Sequence, residues 1–305
     1  MEEPPAAAPA RRGAAGALRA FLVMLARENL VLALAMGAIT RVVEVMAELP
    51  PEPLSPLVVA LAFYAVYTLD RAGDVDADDR THPERARFSR RNARRMRVAS
   101  LAAYALALAL AAMRGGWAPA VALLPFAALL LYSFRIVPPG IARRVGFARI
   151  KEIFVLKNVW VAATLAGTAT LLPIAMAEAA PRGPAAAAMG GFLLGRWWIN
   201  TLVFDLRDEA GDRANGLRTV PVVLGRARTL RLLHAGNVAL AGAALVVPLL
   251  GWARPLFALL AASSVYAWVY LRALAAGGDP HFLCDVVADG ELLLLAALVL
   301  LLATL

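Results

Sequence analysis

Charge is scarce in this chain. Asp, Glu, Lys and Arg together make up 17% of the 305 residues, while 61% are apolar or aromatic. Mean hydropathy is +0.67. Soluble domains carry about 25% charge and about 45–50% apolar residues, so the composition is that of a membrane protein and excludes a disordered chain. There is a single cysteine, Cys284, which leaves no intrachain disulfide and excludes a secreted disulfide scaffold. His82, His234 and His281 are the only histidines and lack ligand spacing, which argues against a zinc site. Lysine is nearly absent: of 31 basic residues only Lys151 and Lys157 are Lys.

What remains is long apolar runs. Eight are free of charge: Asn29–Thr40, Pro53–Leu69, Val98–Met113, Gly115–Phe134, Asn158–Ala177, Leu232–Ala253, Pro255–Leu271 and Leu292–Leu305; Gly183–Phe204 is a ninth that contains Arg196. The first is read as starting near Phe21 and reaching Met46. At about 20 residues per crossing, the chain is expected to be an all-α polytopic bundle of about nine transmembrane helices. Ala/Leu-rich runs without period-two alternation argue against a closed barrel. Residues 1–16, rich in Pro and Ala, are expected to form a disordered tail, leaving 17–305 as one transmembrane domain. Two early Glu and an uninterrupted apolar run speak against a cleaved signal.

Arginine orients the bundle. The connections after the second, fourth and sixth spans are strongly basic, whereas the opposite connections hold only Arg114, Arg182 and Arg254. By the positive-inside rule the N-terminus and the long loops face the cytoplasm, as expected for an inner (cytoplasmic) membrane protein. The net charge of +9 therefore requires no nucleic acid.

Two of the basic connections also carry acids. Asp70, Asp74 and Asp78 share a face if the second helix continues, and Asp205, Asp208 and Asp212 share one after the sixth. Stacked like charges destabilise a helix, and a divalent cation offsets that. Mg²⁺ is held by one or two carboxylates plus substrate phosphates, and Arg or Lys suit phosphate oxygens. The arrangement points to a metal-bridged diphosphate site at the cytoplasmic mouth of the bundle.

The stretch Asp205–Gly225, with its Gly-Asp-Arg, Gly-x-x-Thr-x-Pro and closing Leu-Gly, resembles the second aspartate motif of the UbiA superfamily of intramembrane prenyltransferases. The first cluster resembles that family's Asn-Asp-x-x-Asp-x-x-x-Asp in part: Asp70 and Asp74 match, but Val66 and Tyr67 stand at the Asn and first Asp. Arg149–Ile153 with Lys157-Asn158 is similar to the segment leading into the fifth helix.

The resemblance implies an isoprenyl diphosphate donor bound through Mg²⁺, loss of diphosphate to leave an allylic carbocation, and attack by an aromatic or lipid acceptor. It implies Asp70, Asp74, Asp208 and Asp212 as catalytic, with Asp78 and Asp205 joining them as metal ligands. Arg71, Lys151, Lys157, Asn158 and Arg213 are the substrate-binding candidates. A terpene cyclase, or a lipid-binding protein without activity, are the alternatives that the altered first motif keeps open.

Other residues admit two readings each. Arg41 either pairs with Glu44 or binds an acceptor; Arg196 either meets a buried acid or enters the cavity. Asn200 is read as a packing group. Trp197, Trp198, Tyr64, Tyr67 and Tyr132 either line a cation-stabilising cavity or pack. Cys284 reads as a packed apolar residue, and Asp285, Asp289 and Glu291 as plain loop acids. Oligomeric state is not legible.

Overall fold

The computed structural model describes residues 13–73, 83–133, 147–177 and 179–304, together with Pro138, Gly140 and Arg144. The described elements are helical: α1 (Ala14–Arg27), α2 (Leu30–Met46), α3 (Ser55–Gly73), α4 (Pro83–Arg114), α5 (Ala118–Ser133), α6 (Leu156–Met176), α7 (Gly183–Ala214), the short α8 (Val220–Leu224), α9 (Arg226–Leu249), α10 (Pro255–Ala275) and α11 (Pro280–Ala303). The first two turns of α10, Pro255–Leu260, are 3-10, and α11 contains a π-helical turn at Leu283–Ala288.

Five helices, α4, α6, α9, α10 and α11, are long and apolar enough to cross a bilayer, and α1 with α2 adds a sixth if the pair counts as one span. That pair corrects the sequence expectation of one helix from Phe21 to Met46. The chain bends by 79° between α1 and α2, with Asn29 in the left-handed region at φ 58°. Asn tolerates that conformation better than most residues, and Asn29 Nδ2 donates to Thr68 Oγ1 at 3.0 Å, which anchors the bend on α3. Helix α1 also begins at Ala14, inside the stretch read as a tail.

Helix α2 organises the bundle. It is buried along nearly its whole length and touches α3, α6, α7 and α11. The remaining neighbours follow chain order: α3 packs on α4 and α5, α5 on α6, α6 on α7, α7 on α9, α9 on α10, and α10 on α11, which returns to α2. Large apolar side chains such as Leu106, Leu123, Val238, Leu245, Val265, Leu294 and Leu301 are exposed on the outside. That surface suits lipid and would be an aggregation liability in water.

Charges close the far end. Glu48 accepts from Arg182 at 2.8 Å and lies 3.3 Å from Arg254, and Glu52 accepts from Arg114 at 2.8 Å. Arg41 pairs with Glu44, which also receives the Ser55 hydroxyl. The few basic residues on this side thus converge on the α2–α3 connection and its flanks. For Arg41 the structure decides the alternative: it is a structural pair and is absent from the cavity wall.

Small residues permit close helix approach. A Cβ added at Gly37 would meet Pro56 O, a backbone atom, at 2.8 Å. Gly37→Val is therefore expected to force α2 and α3 apart and to cost about 1–3 kcal/mol, measured as a lower unfolding temperature in detergent; an unchanged temperature would show that the α2–α3 contact yields freely.

Candidate active site

A cavity of about 350 Å³ opens between α2, α3, α5, α6, α7 and α11. Its wall follows the register of each helix. Along α3 the lining residues run Phe63, Val66, Tyr67, Asp70, Arg71; along α7 they run Trp197, Asn200, Thr201, Phe204, Asp205, Arg207, Asp208. At 1.5 Å per residue, the α7 set covers about 16 Å, from an apolar floor to a charged mouth. Helix α6 runs the opposite way, with Lys157 and Asn158 at the mouth and Val161, Thr164 and Leu165 further in.

The two carboxylates of α7 that line the cavity are held differently. Asp205 is 7% exposed. It accepts from Lys157 Nζ at 2.7 Å and from Asn158 Nδ2 at 3.0 Å, which ties α6 to α7. Because the Asn158 amide must present its NH₂ to the carboxylate, its Oδ1 faces away and is left buried without a hydrogen-bond partner. Asp208 takes both arms of the Arg207 fork, at 2.8 and 2.9 Å. Arg207 also donates to Asp285 and lies 4.7 Å over the Phe204 ring.

The other predicted residues fall unevenly. Asp70 lines the cavity and accepts from Ser133 Oγ at 3.1 Å. Arg71 lines it too, while donating to the carbonyls of Ala26 and Arg27 at 3.3 and 2.5 Å, which caps the C-terminus of α1. Asp74 and Asp78 lie outside the described residues. Lys151 sits in the 3-10 turn before α6 and is absent from the wall. Arg213 is exposed and pairs with Glu209 at 2.8 Å, one turn away on α7, so it does not line the cavity. Asp212 stands just beyond the wall. Its Oδ2 is buried without a hydrogen-bond partner. Burial pushes its carboxyl up to about 6; Lys157 opposes this, and Asp205 and Asp208 add to it.

Several lining residues were not expected. Asp285 and Asp289, read as loop acids, belong to the wall, and so do Arg207, Asn29 and Asn200. Glu291, also read as a loop acid, is instead buried 3.3 Å from Arg196, which meets Asn237 and Tyr270 as well. The Arg196 alternatives resolve to the buried acid. Of the aromatic candidates, Tyr67, Tyr132 and Trp197 line the cavity; Tyr64 and Trp198 do not. Cys284 is buried and packed, as expected.

Among the described residues the wall holds five carboxylates (Asp70, Asp205, Asp208, Asp285, Asp289) and three cations (Arg71, Lys157, Arg207). Such a surplus repels a bare anion. It suits a hard cation, and all five carboxylates offer hard oxygen donors. Among the described residues no three His, Cys, Asp or Glu side chains converge closely enough to hold a metal ion alone. Mg²⁺ takes one or two carboxylates and completes its shell with water and phosphate oxygens.

The comparisons with known proteins agree with this architecture. The sequence profile of the UbiA prenyltransferase family matches residues 47–281. The chain belongs to the UbiA prenyltransferase family. No curated protein sequence matches it. Among solved structures, a UbiA homolog from Archaeoglobus fulgidus bound to GPP and Mg²⁺ shares the fold at TM-score 0.62 and 16% identity, covering 93% of this chain and 99% of that one. The apo UbiA homolog from Aeropyrum pernix K1 gives 0.62 at 14% identity, covering 90% and 98%. Digeranylgeranylglyceryl phosphate synthase gives 0.54 at 15%, covering 92% and 95%. This UbiA family member is a multi-pass membrane protein, and Val66 and Tyr67, where it departs from the first motif, both line its cavity.

The Lys157–Asp205 pair generates a prediction. Both side chains are largely buried, at 16% and 9% exposure. Lys157→Met leaves the Asp205 carboxylate without its cation and is expected to cost about 3 kcal/mol. Unfolding in detergent reads this as a lower temperature, and the double variant Lys157→Met/Asp205→Leu should regain part of it.

Proposed function

We propose that this protein is an integral-membrane prenyltransferase that moves an isoprenyl group from an isoprenyl diphosphate to a hydrophobic or aromatic acceptor. The observation that carries the reading is the cavity itself: a charged, carboxylate-rich mouth continuous with an apolar, aromatic interior. The family supports the same reaction, and the Archaeoglobus homologs bound to GPP or DMAPP with Mg²⁺ support the donor class and the metal.

Asp70, Asp74, Asp205, Asp208 and Asp212, with Asp78 as a further candidate, would hold Mg²⁺, which would neutralise charge on the departing diphosphate. Lys157 and Arg71 already stand at the mouth and donate to its phosphate oxygens, with Lys151 and Arg213 approaching from outside the wall. Donors fixed in advance at a water-poor site stabilise developing charge better than solvent does. Asn158 Oδ1, left without a partner, accepts a hydrogen from bound ligand or water. The interior then protects the allylic cation: Leu32, Val66, Leu129 and Leu165 exclude water, and the rings of Tyr67 and Trp197 offer cation–π stabilisation. The acceptor enters from the apolar side.

In this reading the chain crosses the inner membrane nine times, by α2, α3, α4, α5, α6, the Gly183–Phe204 part of α7, α9, α10 and α11. The N-terminus and the site face the cytoplasm, in line with the arginines at that end. The bilayer accommodates the prenyl tail of the donor.

The test is diphosphate release from membranes carrying the protein, offered prenyl diphosphates of several lengths with and without Mg²⁺. Release should require Mg²⁺ and fall at least about 100-fold in Asp208→Asn, since removing one preorganised transition-state contact costs on that order. Undiminished release in Asp208→Asn would overturn the metal assignment, and extracted products separate transfer to an acceptor from cyclisation. A pH prediction accompanies it. Asp212, protonated below about pH 6, must lose its proton to bind a cation. Mg²⁺ affinity should therefore fall about tenfold between pH 7 and pH 5, and Asp212→Asn should flatten that slope.

A further inference from the structure

Arg207 is deeply enclosed in the wall, its side chain only 5% exposed. A buried guanidinium must be paired on every accessible edge, and here two carboxylates do it. The Nε and Nη2 edge goes to Asp208 on the same helix, and Nη1 goes to Asp285 on α11. The Phe204 face covers one side. Asp285 sits within the π-helical turn Leu283–Ala288, a distortion that occurs mostly as a single turn and often at functional sites. Cys284, its neighbour, places Sγ 3.8 Å from Val203 O, so this turn is seated directly on α7. Neither aspartate motif includes Asp285 or gives Arg207 a role.

We infer that Asp285 is a positioning residue: through Arg207 it fixes the direction in which Asp208 presents its remaining lone pairs to a divalent cation. The chain is Asp285, then Arg207, then Asp208. With both Asp208 oxygens already accepting from a rigid fork, the carboxylate cannot rotate freely, and its orientation at the cavity wall is set by the guanidinium. Asp285 holds the other edge of the fork, so the guanidinium cannot swing off Asp208 onto an incoming phosphate. This rests on the prenyltransferase reading, and the experiment separates the two.

The full-length protein, in detergent, is titrated with Mn²⁺ in the presence of inorganic diphosphate, and bound Mn²⁺ is followed by EPR. Asp285→Asn is expected to raise half-saturation about tenfold, the usual scale for groups that orient a metal ligand. In an Arg207→Gln background the same substitution should shift it by less than about twofold, because the path is already cut. An equal shift in both backgrounds would mean that Asp285 acts through its own charge, and would overturn the inference; so would no shift in either. Arg207→Lys keeps the charge but loses the fork, so it tests the idea even if Asp285→Asn fails to fold: it should raise half-saturation as Asp285→Asn does, and an unchanged value sinks the proposal. If the unsubstituted protein binds no Mn²⁺ with diphosphate, the metal-dependent prenyltransferase reading fails first and takes this inference with it.

Discussion

Lys157 and Asn158 hold Asp205 between them, and the site is organised around that contact. It joins α6 to α7 at the mouth, where a lipid-embedded bundle has to accommodate charge. A carboxylate in such a place is tolerated only if its oxygens are satisfied, and here one takes an ammonium and the other an amide. Two further links set the rest of the mouth: Arg207 joins α7 to α11, and Arg71 joins α3 to the end of α1. Each basic group is therefore fixed on its neighbours before any ligand arrives, which is the economy that preorganised sites depend on.

The opposite end obeys the same constraint with the opposite outcome. Glu44, Glu48 and Glu52 gather Arg41, Arg114, Arg182 and Arg254 onto one short connection. Those pairs leave the cavity wall to other residues and act as a clasp across α2, α4, α7 and the start of α10. A helical ring that opens at one end needs closure at the other, because the small residues along its interfaces supply close contact without much interlocking. The asymmetry of arginine along the chain thus has two parts. The abundant arginines gather in the long connections, and the few on the far side hold that end shut.

Periodicity made the second cluster legible. Asp205 and Asp208 stand three apart on an uninterrupted helix, so their common face follows from helical geometry alone, and Lys157-Asn158 was marked by its place in a family-like segment. Arg207 was missed because its meaning lies in a partner 78 residues away, Asp285, which local spacing cannot show. Asp285 and Asp289 were read as loop acids because the charge-free apolar run begins only at Leu292; the structure makes them part of the opening turns of α11. The break at Asn29 was hidden for a similar reason. The apolar pattern continues on both sides of it, and only a left-handed residue bonded to Thr68 turns a nominal span into two helices.

The departure from the first motif is then best understood through the charge of the whole wall. Val66 and Tyr67 remove a polar pair from α3, yet Asp285 and Asp289 bring two carboxylates from α11 into the same cavity. Coulomb attraction for a divalent cation depends on total charge and distance, with little regard for which helix supplies it. Ligand geometry is stricter, and it is there that a substituted motif needs help. A carboxylate clamped by a guanidinium whose far edge is also clamped has one orientation, whereas a free one has many. The last helix thus adds rigidity at the mouth, while Tyr67 puts an aromatic ring into the cavity wall.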